Sequence, residues 1–149
     1  MLVIKQKGSG SVLMELAVDS PRGVQLSGAN LSGADLSGLD FSGAMFKACN
    51  FTDADCRFAQ FTSAKFQNCV AKRANFAEAD MRGADLSDAV LDGAVLLSIN
   101  GEKILLRHCR ANGADFSGAN LSGSDCSFAE LRGIFTASNL SNSNLYSAD

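Results

Sequence analysis

The chain has 149 residues, with 13 Lys and Arg against 16 Asp and Glu, a net charge of −3 and a single histidine. That length suits one domain, and the mild acidity leaves no basic stripe of the kind that direct nucleic-acid binding needs. The opening apolar run Leu2-Val3-Ile4 is too short for a signal peptide or a membrane span, so no membrane contact is expected and a cytoplasmic location is the default.

Residues 1–23 carry no repeat. Leu2-Val3-Ile4 and Val12-Leu13-Met14 flank Gly8-Ser9-Gly10-Ser11 and read as a short β-hairpin. Pro21, the only proline, precedes a change of pattern. From Val24 to Leu97 a Leu or Phe recurs every fifth residue, at Leu26, Leu31, Leu36, Phe41, Phe46, Phe51, Phe61, Phe66, Phe76, Leu86, Leu91 and Leu96. Cys56, Ala71 and Met81 fill the gaps. Two residues before these central positions sits a small residue, usually alanine, as at Ala29, Ala34, Ala44 and Ala54.

A period of five excludes both regular elements. A helix turns about 100° per residue, so the apolar positions would smear around it. A straight strand alternates with period two, so an odd period would flip successive repeats to opposite faces. The central residue and the one two before it have strand-like spacing, and both can point inward. A corner must then reset the phase, and Ser-Gly supplies it at Ser27-Gly28, Ser32-Gly33, Ser37-Gly38 and Ser42-Gly43. Asp or Asn precedes the centre at Asn30, Asp35, Asp40, Asn50, Asp55, Asn75, Asp80 and Asp85, and is expected to face solvent. A coil with short sides and tight corners, burying its apolar face on the next coil, is a solenoid. Such a solenoid needs a cover for its open end, and the 1–23 hairpin is read as that cap.

Ala29-Asn30-Leu31-Ser32-Gly33, Ala34-Asp35-Leu36-Ser37-Gly38 and Ala114-Asp115-Phe116-Ser117-Gly118 resemble the A(D/N)LXX signature of the pentapeptide-repeat family. The resemblance runs from about residue 24 to residue 149 and implies a right-handed quadrilateral β-helix with about twenty residues per coil. The expected fold class is all-β: such a helix of roughly five to six coils, with residues 1–23 as cap and 24–149 as solenoid. In that register Cys49, Cys69 and Cys109 fall two before a centre and Cys56 and Cys126 at centres, so all five are expected inside as small hydrophobes. Cys49 and Cys69 lie one coil apart, about 4.8 Å, within disulfide reach. The odd cysteine count and the absence of an export signal favour free thiols.

The pattern fails over 97–108. Asn100-Gly101 between apolar runs is a strong hairpin signal, and the central phase is unchanged across the stretch. Either a hairpin protrudes or the coil continues in distorted form, and protrusion is favoured. Asp55-Cys56-Arg57-Phe58-Ala59 and Asp125-Cys126-Ser127-Phe128-Ala129 place a Phe two residues after a central Cys. With a protruding hairpin Phe58 and Phe128 share one edge; without it they lie on opposite sides. They read either as an apolar contact strip or as rings folded over the gaps left by their cysteines. After Leu131 one residue is dropped, and the next centres are Phe135, Leu140 and Leu145. Phe135, Leu140, Leu145 and Tyr146 make the last coil a candidate end-to-end homodimer surface, with fraying as the alternative.

Catalysis finds no constellation. His108 and Cys109 are neighbours in an extended segment and should diverge, whereas a nucleophile and its base must converge. No phosphate loop, dinucleotide fingerprint or zinc spacing is present, so no cofactor or metal site is expected. The sequence therefore points to a non-catalytic solenoid with an unidentified protein partner, and Asn100, Gly101, Glu102, Lys103 and Arg107, with Phe58 and Phe128, are its candidate contacts. The resemblance offers one alternative, since some members of the family protect DNA gyrase by imitating duplex DNA. Lys47, Arg57, Lys65, Lys72, Arg73 and Arg82 interrupt the negative surface that such imitation requires.

Overall fold

The computed structural model describes residues 1–149. Strands β1 (Leu2–Gln6) and β2 (Val12–Leu16) form an antiparallel hairpin, with Leu13 bulged between the Ile4↔Met14 and Lys5↔Val12 pairs. The inner edge of β1 pairs antiparallel with β3 (Ala34–Asp35), so the sheet order is β2-β1-β3. Ile4 is fully buried, and Leu2, Leu13, Met14 and Leu16 pack against the solenoid core.

From Gln25 to Arg110 every fifth residue makes a parallel bridge to the residue twenty positions on, as in Gln25↔Met45, Asn30↔Asn50, Asp35↔Asp55 and Asp40↔Gln60. Four bridges per twenty residues define a four-sided coil stacked on its successor. The central residues and the small residues two before them fill one continuous core. Phe41, Phe46, Phe51, Phe61, Phe66 and Phe76 are fully buried within it, and Phe46 lies 5.3, 5.1 and 5.1 Å from Phe41, Phe51 and Phe66 between ring centres.

Each corner is a tight turn. The N–H three residues after a centre donates to the centre's carbonyl, as in Ala29 N–H to Leu26 O at 2.9 Å. Except at the shortened corner after Leu131, the residue two after the centre has a positive φ, a combination that matches a type II turn. Gly28 fills that position at φ 76°, but further along the rod Asp53, Glu78 and Phe128 hold it near 60°. Non-glycine residues are disfavoured there, so the coil imposes the conformation rather than the residue choosing it.

The Asp and Asn residues before each centre do more than face water. Asn30, Asp35, Asp40, Asn50, Asp55 and Asp85 each accept the backbone N–H two residues on, at 3.0–3.2 Å, and so cap the corner. The expectation that all would be solvent-facing is corrected at Asp55 and Asp85, which are buried. The Arg57 guanidinium, bound to Asp55 at 2.8 and 2.7 Å, holds that carboxyl below its usual range; the Arg57 N–H and Lys7 add to this while burial opposes it. A depressed folded-state pKa contributes stability above the unfolded value near 3.9 and loses it as pH falls further. The melting temperature is therefore expected to drop as pH is lowered from about 5 towards the folded value, and Asp55→Asn should flatten that slope. A variant melting profile as steep as the native one would remove Asp55 from the acid response.

Residues 97–108 do not protrude. Asn100 bridges Asp80 below and Asn120 above, and Leu105 bridges Asp85 and Asp125. The expected hairpin is thus replaced by an in-register coil, for a reason of volume. Gly101 occupies a central position and is buried, while Ile99 and Ile104 replace the usual alanine two before a centre. A Cβ on Gly101 would meet Leu121 Cδ2 at 3.1 Å and Ile99 Cδ1 at 3.3 Å. The missing central side chain is supplied by its neighbours.

The coil after Leu131 is one residue short, since the bridges Asp115↔Ile134, Asn120↔Asn139 and Asp125↔Asn144 span nineteen residues. Gly133 permits this shortening, because a Cβ there would run into the Ala114 carbonyl oxygen. All five cysteines are free and buried. Cys49 and Cys69 each donate Sγ–H to a carbonyl, Leu26 O and Phe46 O, at 2.8 Å. Contact with Cys49 and burial push the Cys69 thiol up, and burial pushes Cys109 up to about 12.

Candidate interaction surface

The candidate contacts of the sequence scatter over this frame. Asn100, Glu102 and Lys103 lie on the coil side centred on Gly101. Asn100 heads a short ladder in which the Asn120 amide donates to Asn100 Oδ1 at 3.5 Å and the Asn139 amide to Asn120 Oδ1 at 3.2 Å. Glu102 and Lys103 lie 3.8 Å apart at the corner, and Arg107 on the next side leans to Asp125 at 3.9 Å. Gly101 points into the core and is corrected as a contact residue. With no protrusion, Phe58 and Phe128 stand three and a half coils apart on opposite edges, so they form no common strip. Neither ring is folded down, since Phe58 is 56% and Phe128 49% exposed.

Phe128 instead joins a cluster of its own. Asp88, His108 and Phe128 occupy the same corner position in successive coils; the Asp88 N–H donates to Arg107 O and the His108 N–H to Ser127 O. The imidazole of His108 stacks on Phe128 with ring centres 5.0 Å apart and planes 3° from parallel. Tyr146, in the coil above, meets Phe128 edge-on at 5.4 Å and 83°. From the sequence, His108 is a candidate only as a base for Cys109. The structure turns them apart as the strand geometry required, with Cys109 buried and His108 exposed. The twenty-residue spacing of 88, 108 and 128 was the signal for this column, and it becomes legible only once the 97–108 segment is kept in register.

Tyr146 connects the column to the C-terminal end. Leu131, Phe135, Leu140, Leu145, Ala148 and Asp149 line an apolar depression of about 240 Å³ there, which no part of residues 1–149 covers. The N–H groups of Phe135, Leu140 and Leu145 make no backbone hydrogen bond, although the corresponding groups in lower coils donate to the coil above. Chemistry is sparse by comparison. No three His, Cys, Asp or Glu residues gather as metal ligands, and no helix is long and apolar enough to cross a membrane.

A family model described as pentapeptide repeats matches residues 25–68, 54–93 and 104–134, in eight copies. No curated protein matches. Among solved structures, full-length QnrB1, described as a plasmid-mediated fluoroquinolone resistance protein, aligns at 21% identity over 86% of this chain and 84% of that one, with a TM-score of 0.51. HetL, a pentapeptide repeat protein involved in heterocyst differentiation regulation in Nostoc sp. strain PCC 7120, aligns at 27% identity over 85% of this chain and 68% of its own, with a TM-score of 0.34. A pentapeptide repeat protein of the Arabidopsis thaliana thylakoid lumen aligns at 32% identity over 72% of this chain and 68% of its own, with a TM-score of 0.32.

Proposed function

The chain belongs to the pentapeptide-repeat family, and from that premise we propose that it is a non-catalytic scaffold, a rigid rod that presents a surface to a protein partner in the cytoplasm. The carrying observation is the exposed apolar region formed by the open C-terminal coil and the Phe128–Tyr146 edge. Along the rest of the solenoid the exposed large apolar side chains, Phe58 and Leu97, stand singly, and a contiguous exposed apolar region marks an interaction site. Affinity capture from native extract tests this, comparing the intact chain with Tyr146→Ser and with a Glu102→Ala/Lys103→Ala/Arg107→Ala variant. A partner retained by all three forms would remove both surfaces from the argument.

The same end supports an end-to-end homodimer centred on Phe135, Leu140 and Leu145, with Tyr146 at its rim. Each exposed edge offers free N–H groups at these centres and free carbonyls at Ser138 and Ser143, so a two-fold copy can pair with it antiparallel. Sedimentation should show a dimer that Leu140→Asp converts to monomer without loss of the β-sheet circular dichroism signal. A native chain that sediments as monomer at every concentration would end the dimer.

The rod shape favours a second reading, a DNA-mimicking modulator of DNA gyrase or topoisomerase. The charge distribution weighs against it, since Asp40, Asp53, Asp55, Asp80, Asp92 and Asp125 each face an arginine of the chain within 4 Å. Inhibition of supercoiling in vitro, with altered quinolone sensitivity on expression, would restore that reading.

A further inference from the structure

Resting on the interaction reading above, we infer that the edge formed by Asp88, His108, Phe128 and Tyr146, with Glu130 beside it, docks a basic protein segment through an arginine side chain. Three observations select that chemistry. First, the aromatic surface is open where it matters. Tyr146 stands perpendicular to Phe128 at the top of the column and is 67% exposed, and Phe128 is 49% exposed.

Second, the free charges around this edge are acidic. Each nearby cation has a carboxylate: Arg107 leans to Asp125 at 3.9 Å, Arg110 binds Asp92 at 2.7 Å and Arg132 pairs with Asp149. Asp88 and Glu130 are exposed and have no cation within ion-pair distance; Glu130 stands one rung above Arg110, whose guanidinium is turned to Asp92. Asp88 lies one coil below His108 at the same corner, and Glu130 lies two residues beyond Phe128. Glu130 accepts only the Asn112 amide, at 3.0 Å. A guanidinium stacks on an aromatic face and binds a carboxylate with its planar fork, which an ammonium does less well.

Third, His108, Phe128 and Tyr146 form a continuous aromatic column on an exposed edge. Aromatic and arginine side chains are the usual anchors of protein interfaces, so such a column suits an anchor.

The test pans a phage-displayed random dodecapeptide library against the intact chain, with a Tyr146→Ser chain for counter-selection. Selected peptides should be enriched in arginine over the input library, and the synthetic peptides should bind at least tenfold more weakly to Tyr146→Ser. Asp88→Asn/Glu130→Gln should weaken binding and reduce its salt dependence, because two carboxylates leave the contact. All three positions are exposed, so loss of the fold is not the expected cause, and circular dichroism checks it. Peptides without arginine enrichment, or an absence of any selected peptide, would overturn the inference. Peptides that bind all variants equally but are lost on Glu102→Ala/Lys103→Ala would also overturn it, while leaving the broader interaction reading standing.

Discussion

Gly101→Leu, which restores the apparent repeat at the central position, is expected to destabilise the rod by roughly 2–3 kcal/mol. The space that a leucine needs is already taken. Leu121 from the coil above and Ile99 from the same coil approach the Cβ position within 3.1–3.3 Å, and the Gly101 N–H donates to Asn120 O at 2.7 Å. The backbone cannot retreat without giving up that bond. Ile99→Ala alone should also destabilise, by about 2–5 kcal/mol, through the cavity it leaves. The two changes together should cost clearly less than either summed with the other, because each removes the strain or the void that the other creates. Urea unfolding of the three variants measures the coupling. Additive losses would mean that Gly101 and Ile99 do not share one volume, and the account of the 97–108 segment would fall.

That same volume exchange explains what the sequence concealed. The five-residue period is written by one side chain per repeat, and where that side chain is large the coil, its phase and its inward cysteines are legible. At Gly101 and Ala111 the centre is small and the apolar mass sits two residues earlier, at Ile99, or on an adjacent side, at Ile104 and Leu106. A reading keyed to the centre sees a break there. Asn100-Gly101 then adds a turn signal that holds for a free hairpin but not for a chain already paired above and below. A hairpin there puts Phe58 and Phe128 on one edge and hides the column of Asp88, His108 and Phe128. The corner caps were missed for a different reason. An Asp that accepts its own turn's N–H and an Asp that merely faces water have the same sequence position, and only the 3.0–3.2 Å geometry separates them.

The largest loss is expected from Phe46→Ala, about 3–5 kcal/mol, and its form should be as informative as its size. Phe46 is fully buried and touches rings in its own coil and in the next, with Phe41, Phe51, Phe61 and Phe66 all within 6.1 Å between centres. The void would be bounded by rigid rings and by coils tied to each other through backbone bonds, so little collapse can fill it. A solenoid's stability is a sum of coil terms and neighbour terms, and this substitution removes both at one level of the rod. The coils below it then lose their coupling to those above, and unfolding should separate into two transitions. Phe116 makes a smaller set of ring contacts, chiefly with Phe135 at 4.8 Å near the uncovered end. Phe116→Ala should therefore lower the midpoint less and leave a single main transition, with fraying confined to the last coil. Hydrogen exchange resolved by residue distinguishes the two variants. Equal losses with one uniform transition in both would show that the aromatic column does not couple the coils, and that backbone pairing alone carries cooperativity along the rod.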